Sequence, residues 1–290
     1  MHKQTHKIAN AFLSCTISEV GAEIISLRSL ASNREYMWQA DPTVWDESAP
    51  ILFPIVGRLN TGQYAVDGQK YSLPTHGFAK RQRFIVKQQT ESTIRLTMSA
   101  NSSTLASFPY QFQLDVTFSL EQKALEVKYE IINQDDTALY FAIGSHPGFA
   151  LPQSDFNQQK CKLIFSDQES PLCRLIKNDL LTEQNYPVQF SGKTLPITPD
   201  TFEKDALIFR DLCSSSIILS VDDTPILSLE MGNNQHLGLW AKPKAAYVCI
   251  EPWTATDETE NTPLEISDKP DLACLLSGEM YTNDYRINIF

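Results

Sequence analysis

YQFQLDVTFSLEQKALEVKYEIIN, residues 110–133, decides the fold class. From Tyr110 to Leu120 apolar and polar residues alternate. Glu121-Gln122-Lys123 interrupts the pattern, and alternation resumes over ALEVKYEIIN. In the second run Leu125, Val127, Tyr129 and Ile131 fall on one face and Glu126, Lys128 and Glu130 on the other. A period of two is the signature of an extended strand, whose successive side chains point to opposite sides. Two such runs around a polar break predict an antiparallel hairpin with one dry and one wet face.

The same pattern recurs outward from this hairpin. Further strands are expected at 12–18, 93–98, 139–143, 163–165, 216–221, 226–231, 237–241, 247–251 and 286–290. Asp67-Gly68 marks a tight turn between short extended pieces. GAEIISLRSL (21–30) is ambiguous, since its composition suits a helix while its neighbours suit strands. DPTVWDESA and TPLEISDKP are expected to hold only short turns. There is no fixed-period repeat and no low-complexity linker. The expectation is one all-β domain over residues 1–290, a large antiparallel β-sandwich with a broad concave face.

Composition narrows the partners. The chain has 290 residues, 42% of them hydrophobic, so a full core is available. A formal net charge of −11 disfavours nucleic acid and anionic lipid. No run is long and apolar enough for a membrane span, and the N-terminus lacks a signal-peptide core, so a cytoplasmic location is expected. Six cysteines, at 15, 161, 173, 213, 249 and 274, form no CxxC pair and read as free, mostly buried thiols. P-loop, GxGxxG, GxSxG and HExxH motifs are absent, which removes the usual support for nucleotide, nicotinamide and serine-hydrolase chemistry.

Four places could carry chemistry: Arg58 in FPIVGRL, His76 in LPTHGFAKRQRF, His146 in IGSHPGF, and Glu251 in YVCIEPW. An isolated histidine or arginine after a turn is most often a surface or capping residue. Glu251 resists that reading, because a carboxylate after Tyr-Val-Cys-Ile is costly to bury and its pKa is pushed toward the range of a useful base. Pro252 cannot continue a central ladder, so Glu251 is expected at a strand end or bulge, as is His146. Gly148 is expected to let a ligand approach closely. His2 and His6 lie in a tail that looks disordered, and His236 in a polar turn reads as structural or solvent-exposed. Phe78, Phe149, Trp240 and Trp253 are candidates for the floor of a sugar site. His76, His146 and Glu251 could also form a two-His, one-carboxylate metal site. No ligand spacing supports this, and acid–base chemistry ranks above it.

At these residues the sequence resembles the aldose 1-epimerase (galactose mutarotase-like) superfamily, most nearly its LacX-like branch. The resemblance runs through GAEIISL, YMWQADPTVWDESAPILFPIVGRL, HGFAKRQRF, GSHPGF, DALIF, LGLWAKP, VCIEPW and LLSGEMYTNDYRINI, in that order over nearly the whole chain. It implies a β-supersandwich and cofactor-independent opening of an aldose ring at C1, with no metal. By residue it implies that Arg58 and His76 bind the sugar, that His146 is the general acid at the ring oxygen, and that Glu251 takes the proton from the C1 hydroxyl. Asp205 matches a sugar-binding aspartate, and Trp253 is expected to join it in substrate binding. Pro147-Gly148-Phe149 departs from the stretch that follows the second histidine in typical galactose mutarotases, which bears on the sugar more than on the chemistry. Three other readings stand beside this one. A hexose-6-phosphate mutarotase would draw a basic pocket from Arg58, Lys80, Arg81, Lys242 and Lys244. A non-catalytic carbohydrate-binding protein would use the same fold. A glycoside hydrolase or lyase would pair Glu251 with Asp205, its carboxylates roughly 5–9.5 Å apart. The oligomeric state is not set by the sequence.

Overall fold

A computed structural model describes residues 4–170, 172–177 and 180–290. The hairpin forms as expected: Phe112–Glu121 pairs with Ala124–Asn133 in antiparallel register, Leu125 opposite Leu120 and Ile131 opposite Leu114. It sits inside a nine-stranded sheet ordered 194–197, 161–165, 216–221, 224–230, 280–289, 124–133, 112–121, 93–99, 85–89. An eight-stranded sheet runs 180–187, 172–177, 207–209, 236–240, 247–253, 144–145, 51–52, with 148–150 also pairing 247–253. The ladders of both sheets are antiparallel. Their inner faces meet. Phe165 on the first packs on Phe209 of the second at 6.0 Å, and the Ser145 hydroxyl bonds the Tyr285 hydroxyl at 3.0 Å. Leu125, Val127, Tyr129 and Ile131 are buried, and Glu126, Lys128 and Glu130 are half-buried, so the dry and wet faces of the hairpin are as read. The fold is therefore the expected all-β architecture, a large sandwich of antiparallel sheets.

The differences from expectation have local causes. GAEIISLRSL holds a strand, Glu23–Ser29, not a helix. Its partner register jumps between Thr16 and Ile17, which leaves Ile25 as an extra residue. Such a bulge turns the pleat over, so Ile24 and Leu27 bury on one face at a spacing that imitates a helix. His6 lies in the strand Thr5–Ala9, 2.9 Å from Glu19 Oε1, and not in a disordered tail; His2 lies outside the described residues. His236 is a strand residue and buried, its Nδ1 accepting from the Asp211 N–H at 3.1 Å. The cysteines are free thiols, with Cys213 and Cys274 exposed and the others buried. Among the described residues no helix is long and apolar enough to cross a membrane.

Candidate active site

The central strand of the site is Tyr247–Trp253. Glu251 lies within this strand, opposite Gly238, and not at its end. Pro252 is tolerated there for a reason the sequence hid. The Ile250 N–H donates to the Pro147 carbonyl and the Thr254 N–H to the Ile143 carbonyl, so the nitrogen of residue 252 faces the same flank. On that flank the neighbouring chain breaks between Gly144–Ser145 and Gly148–Ala150, where His146-Pro147 leaves the ladder. Pro252 stands opposite Ser145, midway between these two bonds, so its missing N–H forfeits a single ladder bond beside the gap already opened at His146-Pro147. The same gap places His146 beside Glu251: Nε2 lies 3.2 Å from Glu251 Oε2. This is ion-pair distance, but the alignment makes no hydrogen bond, and His146 Nδ1 and Glu251 Oε2 both stay buried without hydrogen-bond partners.

His76 is held by its backbone. Its φ is +65°, in the left-handed region that non-glycine residues rarely occupy and that recurs at functional sites. Its Nδ1 accepts from the Gly57 N–H at 3.0 Å. That fixes the proton on Nε2, so the ring presents a donor. Its ring centroid is 5.6 Å from that of His146. Asp205 is a second backbone outlier, with φ +104°, and its carboxylate also accepts from the Ala206 N–H at 2.8 Å.

A cleft of about 330 Å³ brings these groups together: Arg58, His76, His146, Asp205, Glu251 and Trp253 all line it. Trp45, Glu47, Ile176, Ala206, Trp240, Lys242 and Asp257 complete the wall. Two expected floor aromatics do not take part. Phe149 is fully buried, and Phe78 packs in the core with Phe53, Phe108 and Phe112. Trp45 stands in their place, stacked on Tyr247 at 5.4 Å, edge-on to Trp240 at 5.6 Å and 5.1 Å from His146. Gly148 makes room for this tryptophan, not for a ligand, since a Cβ there would lie 2.7 Å from its ring. Trp45 and Asp257 carry no local signal. They sit in DPTVWDESA, which reads as a turn, and in TATDETE, which reads as a solvated acidic loop.

Of the five cations that could have made a basic pocket, Arg58 and Lys242 line the cleft, and Lys80 bonds Glu47 at 3.1 Å. Four carboxylates line it too, Glu47, Asp205, Glu251 and Asp257. Burial, then the charges of Asp257 and Asp205, hold Glu251 well above the usual carboxylate range. Burial pushes His146 down to about 3, helped by Lys80 and opposed by a backbone hydrogen bond. Burial, then His146, Lys80 and Arg58, holds His76 well below the usual imidazole range. Burial thus favours the uncharged form of the His146–Glu251 pair, which titrates jointly. Among the described residues the group within reach of one metal ion is His146, Cys249 and Glu251, with donor atoms inside 4.8 Å. It is not the His76, His146, Glu251 set weighed from sequence.

This site, on this sandwich, defines the class. The chain belongs to the aldose 1-epimerase family, whose model matches residues 4–288. Its curated relatives include Protein LacX, in plasmid and chromosomal forms, from Lactococcus lactis subsp. lactis. Each is 27% identical over 299 residues, covering 98% of this chain and 99% of the relative. Solved structures agree. A galactose mutarotase related enzyme from Lactobacillus acidophilus superposes with a TM-score of 0.93 at 28% identity, covering 99% of this chain and 97% of that one. A galactose mutarotase-like protein from Lactobacillus casei gives 0.92 at 27% identity, covering 99% and 100%. Membership supports a general mutarotase or epimerase role and a sugar substrate.

Proposed function

We propose that this protein is an aldose 1-epimerase that interconverts the α and β anomers of a neutral aldose by cofactor-independent acid–base ring opening at C1. The contact of 3.2 Å between His146 and Glu251 in an open cleft carries the reading. The hydroxyl oxygen and the ring oxygen are both bonded to C1, so two proton-transfer groups that touch each other can reach both. Glu251 takes the C1 hydroxyl proton while His146 gives one to the ring oxygen, and the C1–O bond of the ring breaks. Rotation about C1–C2 and reclosure on the other face complete the exchange. The pair begins and ends ring opening with one proton in total, passing from His146 to Glu251. The uncharged resting form is the one that faces the open-chain aldehyde. Hydrogen bonds from the C1 hydroxyl to Glu251 and from His146 to the ring oxygen favour the charged form when a closed ring is bound.

The remaining groups bind. Arg58 and the Nε2–H of His76 donate to sugar oxygens, Asp205 accepts from a hydroxyl, and Trp45, Trp240 and Trp253 offer faces to sugar C–H groups. Carboxylates outnumber cations along the lining even with the Glu251 carboxyl uncharged, which favours a neutral sugar over a phosphorylated one. The test is mutarotation of freshly dissolved α-glucose, α-galactose and glucose 6-phosphate, followed by polarimetry with wild type and Glu251→Gln. Acceleration by wild type that the variant loses is the expected result. Sugar binding without acceleration would replace this reading with that of a carbohydrate-binding protein, and a preference for the phosphate would overturn the neutral-substrate assignment.

A further inference from the structure

The loop after the central strand is laced to the arginine of the cleft. Asp257 Oδ1 accepts from the Arg58 backbone N–H at 3.0 Å and lies 3.5 Å from its Nη1. The Glu258 N–H returns a bond to the Arg58 carbonyl at 3.0 Å, and the Glu258 carboxylate accepts from the Asn60 N–H at 2.7 Å. Gly57 makes this approach feasible. Its φ is +72°, and a Cβ there would lie 2.6 Å from the Asp257 backbone and carboxyl carbon. The Asp257 carboxylate is buried and forms the wall between the cleft and a second cavity of about 140 Å³ behind it.

We propose that Asp257 is a positioning residue that orients Arg58 toward the sugar and places a negative charge in the same cleft wall as Glu251. A carboxylate this buried needs a function to offset its desolvation. Hydrogen bonding to Arg58 is one. The other follows from charge: a like charge nearby strengthens the grip of a carboxyl group on its proton. After burial itself, Asp257 is the largest influence raising Glu251. Burial pushes Asp257 up to about 6, and its contacts with Arg58 oppose that rise and favour the anion.

The inference rests on the epimerase reading, and the experiment separates the two. The Glu251 carboxyl is titrated by carbon-13 NMR in unliganded wild type and Asp257→Asn, which needs no turnover, and sugar affinity is measured on the same samples. In the variant the titration is expected to move down by about one pH unit, and the alkaline limb of kcat/KM to follow it. Sugar affinity should weaken about tenfold as the Arg58 guanidinium loses its charge-assisted contact, although the amide oxygen still accepts from the Arg58 N–H. A folded variant whose Glu251 titration does not move, or whose sugar affinity is unchanged, overturns the proposal. Asp257→Ser serves if the asparagine variant does not fold. Should wild type bind and turn over no aldose, the epimerase reading fails while the titration still decides the part played by Asp257.

Discussion

Two carboxylates are almost wholly buried, one in each large sheet. Asp115, 0% exposed in Phe112–Glu121, accepts from the Arg95 guanidinium, the Thr97 hydroxyl and the Gln113 amide. Glu251, 1% exposed in Tyr247–Trp253, has an oxygen with no hydrogen bond and two acids nearby. Desolvation opposes both charges. At Asp115 it is offset by donors, and the acid braces three strand positions. At Glu251 it is left standing, as the proposed proton exchange with a sugar requires. What separates a structural acid from a reactive one is the completeness of its partners, not its depth.

The sharpest way to break this comparison is Glu251→Gln. We expect kcat for mutarotation to fall about 10³-fold with the fold intact, as polarimetry and circular dichroism would report. Near-normal turnover would end the distinction between the two acids. His146→Asn should cost about 10²-fold in kcat, again without unfolding. Asp115→Asn should do the reverse. Stability in urea is expected to drop by about 2–3 kcal/mol, since charge-assisted bonds are lost, while kcat stays within about twofold. Trp240→Ala should raise KM about fivefold and spare kcat, through loss of a stacking face. The smallest effect is one of pH. Because the folded-state pKa of Glu251 lies above its unfolded value near 4.5, ionisation favours the unfolded chain as pH rises from there toward the folded pKa. The melting temperature of Glu251→Gln should therefore overtake that of wild type progressively over this window, and a constant difference would count against the raised pKa.

Much of the site was legible because its residues break local rules. A glutamate inside an apolar strand and a histidine against Pro-Gly are both anomalous in one dimension. Trp45 and Asp257 were not, because a tryptophan in a turn and an aspartate in an acidic loop are ordinary until the chain folds over them. His236 misled in the opposite sense. Its polar neighbours suggest a turn, yet strand pairing with Trp253 buries it.

By itself the sequence determined the β class, the central hairpin with its dry and wet faces, and several of the residues that meet in the cleft, since period-two patterning and the cost of burying charge act locally. Only the tertiary structure decided that Glu251 could sit mid-strand, that Gly148 serves Trp45, and that burial favours the uncharged form of the His146–Glu251 pair. Each of these depends on which residues distant segments of the chain bring alongside. Contacts between residues a hundred or more positions apart, such as His146 with Glu251 and Arg58 with Asp257, set the electrostatics of the cleft, and no local pattern encodes them.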